Sequence, residues 1–255
     1  MCTLIVLDRV VPGVPLIAAS NRDEYFSRPA APPERIEPLN GDCAAFVAPK
    51  DLEAGGSWMG VNGHGLFVGL TNRPSDSRIP SRRSRGLLVV DALRRQDARQ
   101  AAGEASRLGS GAYNPFNLYL ADGRESFVVE SGERGTRTRE LDPGLHVLCN
   151  RDIDDRGVAK IDRIHRALEA LDRSAPIRKL LRALASLLAS HEPDAPPLER
   201  VCVHTPGYGT RSSSVVALGK DRWRYWFADG PPCATPYQNL TALLDSLQPP
   251  TLTAR

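Results

Sequence analysis

Met1-Cys2-Thr3-Leu4-Ile5-Val6-Leu7-Asp8 opens the chain, and Leu16-Ile17-Ala18-Ala19-Ser20 runs into the tetrapeptide Asn21-Arg22-Asp23-Glu24. In the first run both alternating sets, Cys2, Leu4, Val6 and Thr3, Ile5, Leu7, are largely apolar. A strand of that kind needs cover on both faces and belongs in the middle of a layered fold. Val11-Pro12-Gly13 is a turn signal, so Val14 to Ser20 returns as the second strand of a hairpin. The hairpin carries residues 21–24 back to the end where Cys2 lies.

That juxtaposition gives Cys2 a chemical reading. Met1 is expected to be removed, because the processing aminopeptidase accepts a small second residue such as Cys. Cys2 then carries a thiol that titrates near ~8.5 and a free α-amine near ~7.7–8.0. One residue supplies nucleophile and base, the arrangement of N-terminal-nucleophile catalysis. A Cys opening a strand is otherwise a small buried hydrophobe. An acyl-transfer site also needs oxyanion donors and a charge to hold the substrate. Asp23 can accept from the α-ammonium, and Arg22 can lower the thiol pKa or grip a carboxylate or phosphate. The amides of Asn72 and Asn150, each at a strand end, can donate to an oxyanion; Arg211 ends the polar set. Neighbours on a strand point to opposite faces. Arg22 and Asp23 therefore share one site only if the strand ends or bulges between them, and Asp23 is favoured.

The remaining chain reads as strands, then helices, then strands. Arg28 to Pro38 is Pro-rich and is expected to be an extended surface connection. Short strands and turns alternate through the glycine-studded 55–65 stretch, and Leu66 to Thr71 is a strand stopped by Pro74. Ser75 to Arg85 reads as a mobile basic loop. A helix is expected over 87–108, a hairpin over 116–130 about Asp122-Gly123, and a strand over 146–149. Helices follow over 158–171 and 177–190, strands over 200–204, 213–218 and 223–227, and a last helix over 240–247. Hairpins without crossovers point to α+β architecture, two antiparallel sheets packed together with helices outside.

The 255 residues, 41% apolar and 25% charged, are of an ordinary globular composition. They are expected to form a single domain over 1–250 with a disordered tail over 251–255. A net charge of +3 with scattered basic residues leaves no electrostatic footprint for nucleic acid. The cysteines, Cys2, Cys43, Cys149, Cys202 and Cys233, are odd in number and lack a CxxC pair, which suggests neither a disulfide framework nor a zinc site. His64, His146, His165, His191 and His204 show no metal-ligand spacing, and Cys149 and Cys202 read as inert core thiols. No membrane span or signal peptide is evident, so a cytoplasmic location is expected.

Several motifs together resemble one family. They are Met1-Cys2, Ala19-Ser20-Asn21-Arg22-Asp23-Glu24, Gly55-Gly56-Ser57-Trp58-Met59-Gly60-Val61-Asn62, Leu70-Thr71-Asn72, Ser84-Arg85-Gly86, Tyr113-Asn114-Pro115-Phe116-Asn117-Leu118 and Tyr208-Gly209-Thr210-Arg211-Ser212-Ser213. In this order they resemble the NRDE family, whose eukaryotic members are called transport and Golgi organisation protein two. That family is similar to the cysteine N-terminal-nucleophile hydrolases of the penicillin V acylase and bile salt hydrolase group. The resemblance implies a four-layer αββα sandwich, Cys2 as nucleophile with Arg22 and Asp23 beside it, Asn72 in the oxyanion hole, Asn150 positioning substrate and Arg211 as the late arginine. The acylase group separates its arginine and aspartate by two residues, whereas here they adjoin. The implied activity is that of an amidohydrolase or thioesterase working through acyl-Cys2 on a small-molecule non-peptide C–N or thioester bond, with no cofactor required. The family's link to lipid or acyl-coenzyme A homeostasis and to haem trafficking implies the alternative, a non-catalytic carrier with haem or coenzyme A as ligand. The arginine-rich loop 78–85 would suit coenzyme A phosphates.

Overall fold

The opening hairpin is present in the computed structural model, which describes residues 2–37, 44–75, 79–109, 111–132 and 135–247. Cys43, Arg78 and the 251–255 tail lie outside the described residues. Strands β1 (Thr3–Val11) and β2 (Val14–Tyr25) pair antiparallel with Thr3 opposite Asn21 and Leu4 opposite Ser20. Next along the chain, β3 (Ala30–Ile36), β4 (Phe46–Asp51), β5 (Met59–Asn62) and β6 (Phe67–Asn72) form a meander. Helices α1 (Arg85–Leu93) and α2 (Ala98–Ser106) interrupt it before β7 (Phe116–Ala121), β8 (Ser126–Gly132) and β9 (Gly135–Glu140) complete a seven-stranded sheet in sequence order.

The other sheet gathers both ends of the chain. β10 (Gly144–Leu148) pairs with β1; after α3 (Ala159–Glu169) and α4 (Ile177–Leu188) come β11 (His204–Thr205), β12 (Tyr208–Leu218), β13 (Trp223–Ala228), β14 (Gln238–Asn239) and α5 (Thr241–Asp245). The order is β10-β1-β2-β12-β13-β14, with β11 on β12. All these ladders are antiparallel.

Burial of both faces of β1 creates the layers. Leu4 and Val6, with Leu16 and Ala18 of β2, meet Met59, Phe67 and Tyr119 of the opposite sheet. Ile5, Leu7, Ile17 and Ala19 face outward against Ile161 and Ile164 of α3 and Leu181 and Leu184 of α4. The outer face of the meander is covered by Leu88 and Val89 of α1 and the alanines of α2. The result is the αββα sandwich.

Several local expectations need correction. The Pro-rich 28–38 stretch contains β3, an edge strand whose Pro32 and Pro33 fall where its register with β4 shifts, positions at which a missing N–H breaks no ladder bond. Two further strands, β4 and β9, lie in stretches to which the sequence reading assigns no element. The long helix over 87–108 is two helices, because the Asp97 carboxylate caps a new start by accepting from Gln100 N–H at 2.8 Å. The strand over 200–204 shrinks to His204–Thr205. The backbone N–H groups of Val201 and Cys202 turn instead to the Glu192 carboxylate and the Ser190 carbonyl beyond α4.

Two glycines make opposite predictions. A Cβ on Gly56 would lie 2.2 Å from the carbonyl carbon of Gly86 in the first turn of α1. Gly56→Ala should cost about 1–3 kcal/mol and lower the melting temperature by roughly 3–10 °C. Gly103, inside α2, has open space around the same position, so Gly103→Ala should stabilise by about 0.5–1 kcal/mol. Thermal denaturation of the two variants checks both signs.

Candidate active site

Cys2 immediately precedes β1 and lines a cleft of about 430 Å³, with Arg22, Asp23, Ser57, Trp58, Asn72 and Tyr208 among the other lining residues. The alternation rule holds for the adjacent pair. Arg22 shares the inward face of β2 with Ala18, and Asp23 shares the helix-facing side with Ala19. Both nevertheless border the cleft, because they lie at the open end of the sheet where β1 begins.

Each residue of the tetrapeptide is held by a different element. The Asn21 amide donates to the carbonyls of Leu188 and Val201 at 2.8 and 3.0 Å, tying β2 to α4 and the segment before β11. Arg22 is buried against the opposite sheet. One Nη donates to Asp51 Oδ2 at 3.1 Å, and the guanidinium stacks 4.4 Å from the Trp58 ring. Its Nη1 has no hydrogen-bond partner among the described residues. Asp23 accepts from Thr210 Oγ1 at 2.7 Å and lies 4.0 Å from Lys160 Nζ of α3. Glu24 accepts from Tyr25 N–H and pairs with Arg28.

The electrostatics follow from burial. Burial raises the Cys2 thiol pKa, the Asp23 carboxylate adds to that rise, and the Arg22 guanidinium opposes it. The thiol is therefore protonated at neutral pH and needs a base to become a nucleophile. Burial also raises Asp23, against the opposing charge of Lys160.

Asn72 and Asn150 come together. The Asn150 amide donates to the Asn72 backbone carbonyl at 2.6 Å, so its hold is on the end of β6. Asn72 is, like Cys2, among the residues lining the cleft, and its side chain makes no hydrogen bond among the described residues. Arg211 is not among the residues lining the cleft. It is the extra residue of a bulge between Thr210 and Ser212, and its guanidinium stands 5.9 Å from the Phe26 ring.

Sequence reasoning missed Lys160, Asp51 and Trp58. Trp58 stood in a motif, but nothing local marked it as the stacking partner of an arginine 36 positions earlier in the chain. Lys160 resembles any helix lysine; its burial is a consequence of α3 packing over β1 and β10. Asp51 collects Arg22 and Arg28, and these pairings hold its pKa below the usual carboxylate range against the effect of burial.

The Lys160–Asp23 contact has a signed pH consequence. Without the cation, Asp23 rises further above its unfolded value of ~3.9, so between those two values the native state binds more protons and stability falls as pH rises. Lys160→Met should therefore destabilise by roughly 3–5 kcal/mol at pH 7, with a smaller deficit near pH 4. A deficit independent of pH, measured by thermal melts across that range, would assign Lys160 to packing alone.

Comparison with known proteins agrees with this architecture. The family model "Transport and Golgi organisation 2" matches residues 1–229. The Transport and Golgi organization protein 2 homolog of Homo sapiens is 30% identical over 233 residues, covering 81% of this chain and 83% of its own length. The Mus musculus homolog is 28% identical over 231 residues, covering 80% and 82%. Among solved structures, a conjugated bile acid hydrolase from Clostridium perfringens superposes with a TM-score of 0.58 at 13% identity, over 94% of this chain and 96% of the other. Penicillin V acylase from Agrobacterium tumefaciens gives 0.59 at 14% identity, over 95% and 88%. At such identities the likeness is one of fold, that of the N-terminal-nucleophile hydrolases. With the family model spanning the tetrapeptide, the cleft and the bulge of β12, the chain belongs to the Transport and Golgi organisation 2 family.

Proposed function

We propose that the protein is a cysteine amidohydrolase or thioesterase that works through an acyl-Cys2 intermediate. The observation that carries the reading is the convergence in one cleft of a thiol at position 2 with two candidate donors to a developing negative charge, Asn72 and the buried Arg22 guanidinium, whose Nη1 has no hydrogen-bond partner among the described residues. With Met1 removed, the α-amine takes the thiol proton as sulfur attacks the carbonyl carbon. The proton then passes to the leaving nitrogen or thiolate as its bond to the acyl carbon breaks. Water adds to the thioester, the carbon–sulfur bond breaks, and the acid leaves with the thiol restored. Asp23, fixed by Thr210, holds the ammonium form of the amine; Asn150 keeps Asn72 in place.

A second reading keeps the cleft and drops the turnover. Arg82, Arg83 and Arg85 line one wall, a surface suited to an anionic ligand such as acyl-coenzyme A or haem carried intact. Carboxylates of Glu24, Asp51 and Glu53 line the cleft too, so the cationic wall is opposed within a few side chains. No helix among the described residues is long and apolar enough to cross a membrane, and a small-molecule ligand fits either reading.

A panel of non-peptide amides and acyl thioesters separates them. The wild-type protein should turn over at least one member, Cys2→Ala should abolish turnover, and Asn72→Ala should lower kcat by about 10²–10³ as one oxyanion donor is lost. Saturable binding of acyl-coenzyme A or haem that survives Cys2→Ala, with no turnover by the processed wild type, would instead establish the carrier.

A further inference from the structure

Four side chains kept apart by the sequence converge outside the cleft. His191 follows α4, Cys202 and His204 flank Val203 at the start of β11, and Cys233 sits in the turn between β13 and β14. Along the chain they are separated by ten, one and 28 residues, a pattern unlike the paired spacings of zinc fingers. In space, one donor atom from each lies within 4.8 Å of the other three. No spacing in the sequence announces this group, and Cys202 read there as an inert core thiol.

Three of the six donor–donor distances match the edges of a coordination shell, and His191 completes the group within 4.8 Å. Cys202 Sγ is 3.7 Å from Cys233 Sγ and 3.5 Å from His204 Nε2, which is 3.2 Å from Cys233 Sγ. A tetrahedral zinc ion with Zn–S of about 2.3 Å and Zn–N of about 2.0–2.1 Å has S–S edges of about 3.8 Å and S–N edges of about 3.5 Å. The measured edges agree to a few tenths of an ångström. His191 Nδ1 lies 3.1 Å from the Cys202 carbonyl oxygen. A carbonyl can accept only, so Nδ1 carries the proton and Nε2 keeps its lone pair for a metal. Ligating histidines characteristically donate their other N–H in this way, which fixes tautomer and ring direction.

We propose that His191, Cys202, His204 and Cys233 bind one zinc ion as a closed structural site. Two thiolates and two imidazoles form a set suited to this borderline-soft cation, and four protein ligands leave no position for a substrate. The ion joins three segments: the end of α4, the stretch entering β11 and the turn after β13. It also acts on the cleft at short range. Val203, between two of the ligands, donates its N–H to Thr210 Oγ1 at 2.9 Å, and Thr210 donates to Asp23 Oδ1 at 2.7 Å. Fixing the 202–204 backbone thus fixes the hydroxyl that orients Asp23.

The test needs no activity. The full-length protein, purified under reducing conditions without chelator, should hold one zinc per chain by elemental analysis. After stripping, titration with Co²⁺ should give the visible bands of a tetrahedral ion and a thiolate-to-cobalt charge-transfer band. Cys233→Ser, at an exposed position, should fold and lose both stoichiometric zinc and part of the charge-transfer intensity, whereas His64→Ala should keep them. The proposal is overturned by a folded protein that takes up no zinc when it is supplied, by a cobalt complex without thiolate ligation, or by a Cys202–Cys233 disulfide in the native protein.

Discussion

The register of β2 against its two neighbours is the constraint on which the site depends. Thr3 and Ser213 both stand opposite Asn21, one on each side. A slip of one residue would send every side chain of a strand to the other face. In β1 both faces are apolar, so burial of hydrophobic surface distinguishes such registers weakly. The polar end of β2 does it instead. Asn21 fits only where two carbonyls near α4 await its amide, and Arg22 only where Asp51 and Trp58 receive it. Cys2 meets its neighbours because those anchors fix the hairpin.

The same device recurs elsewhere in the fold. The Asn62 amide donates to the carbonyls of Leu93 and Arg95 while its oxygen accepts from His64 and Leu66, closing the chain after β5. Asn114 makes a reciprocal pair of bonds with the backbone of Ile79, and Asn117 donates to the carbonyls of Cys149 and Arg151 on either side of Asn150. Each amide satisfies backbone groups that irregular chain would otherwise bury unpaired, where a missing partner is costly. Most asparagines in the recurring motifs are therefore scaffold, and Asn72 stands out because its amide has no such task among the described residues.

What the sequence made legible follows from local physics. The doubly apolar strand, its turn and its polar end were enough for the layered fold and for the grouping of Cys2 with residues 22 and 23. Asn72 and Asn150 were recognised at strand ends, although the hold of Asn150 on the Asn72 carbonyl belongs to the folded chain. The exposed edge strand β9, with Thr136, Arg137, Thr138 and Arg139, lacks an apolar face to announce it, and the prolines of β3 argue against a strand until its edge position is known. Lys160, Arg211 in its bulge and the His191–Cys233 group owe their positions to long-range packing. No window of sequence contains that information.

The acyl-enzyme proposal requires Cys2 to be the processed, reactive residue of this fold. It is tested most directly by the intact mass of the native protein before and after a thiol-reactive probe, with the labelled peptide mapped. The prediction is a mass lacking Met1 and labelling at Cys2 in marked preference to buried Cys149. A retained Met1, or a Cys2 as unreactive as Cys149 in the folded protein, would contradict it and leave the cleft as a binding site.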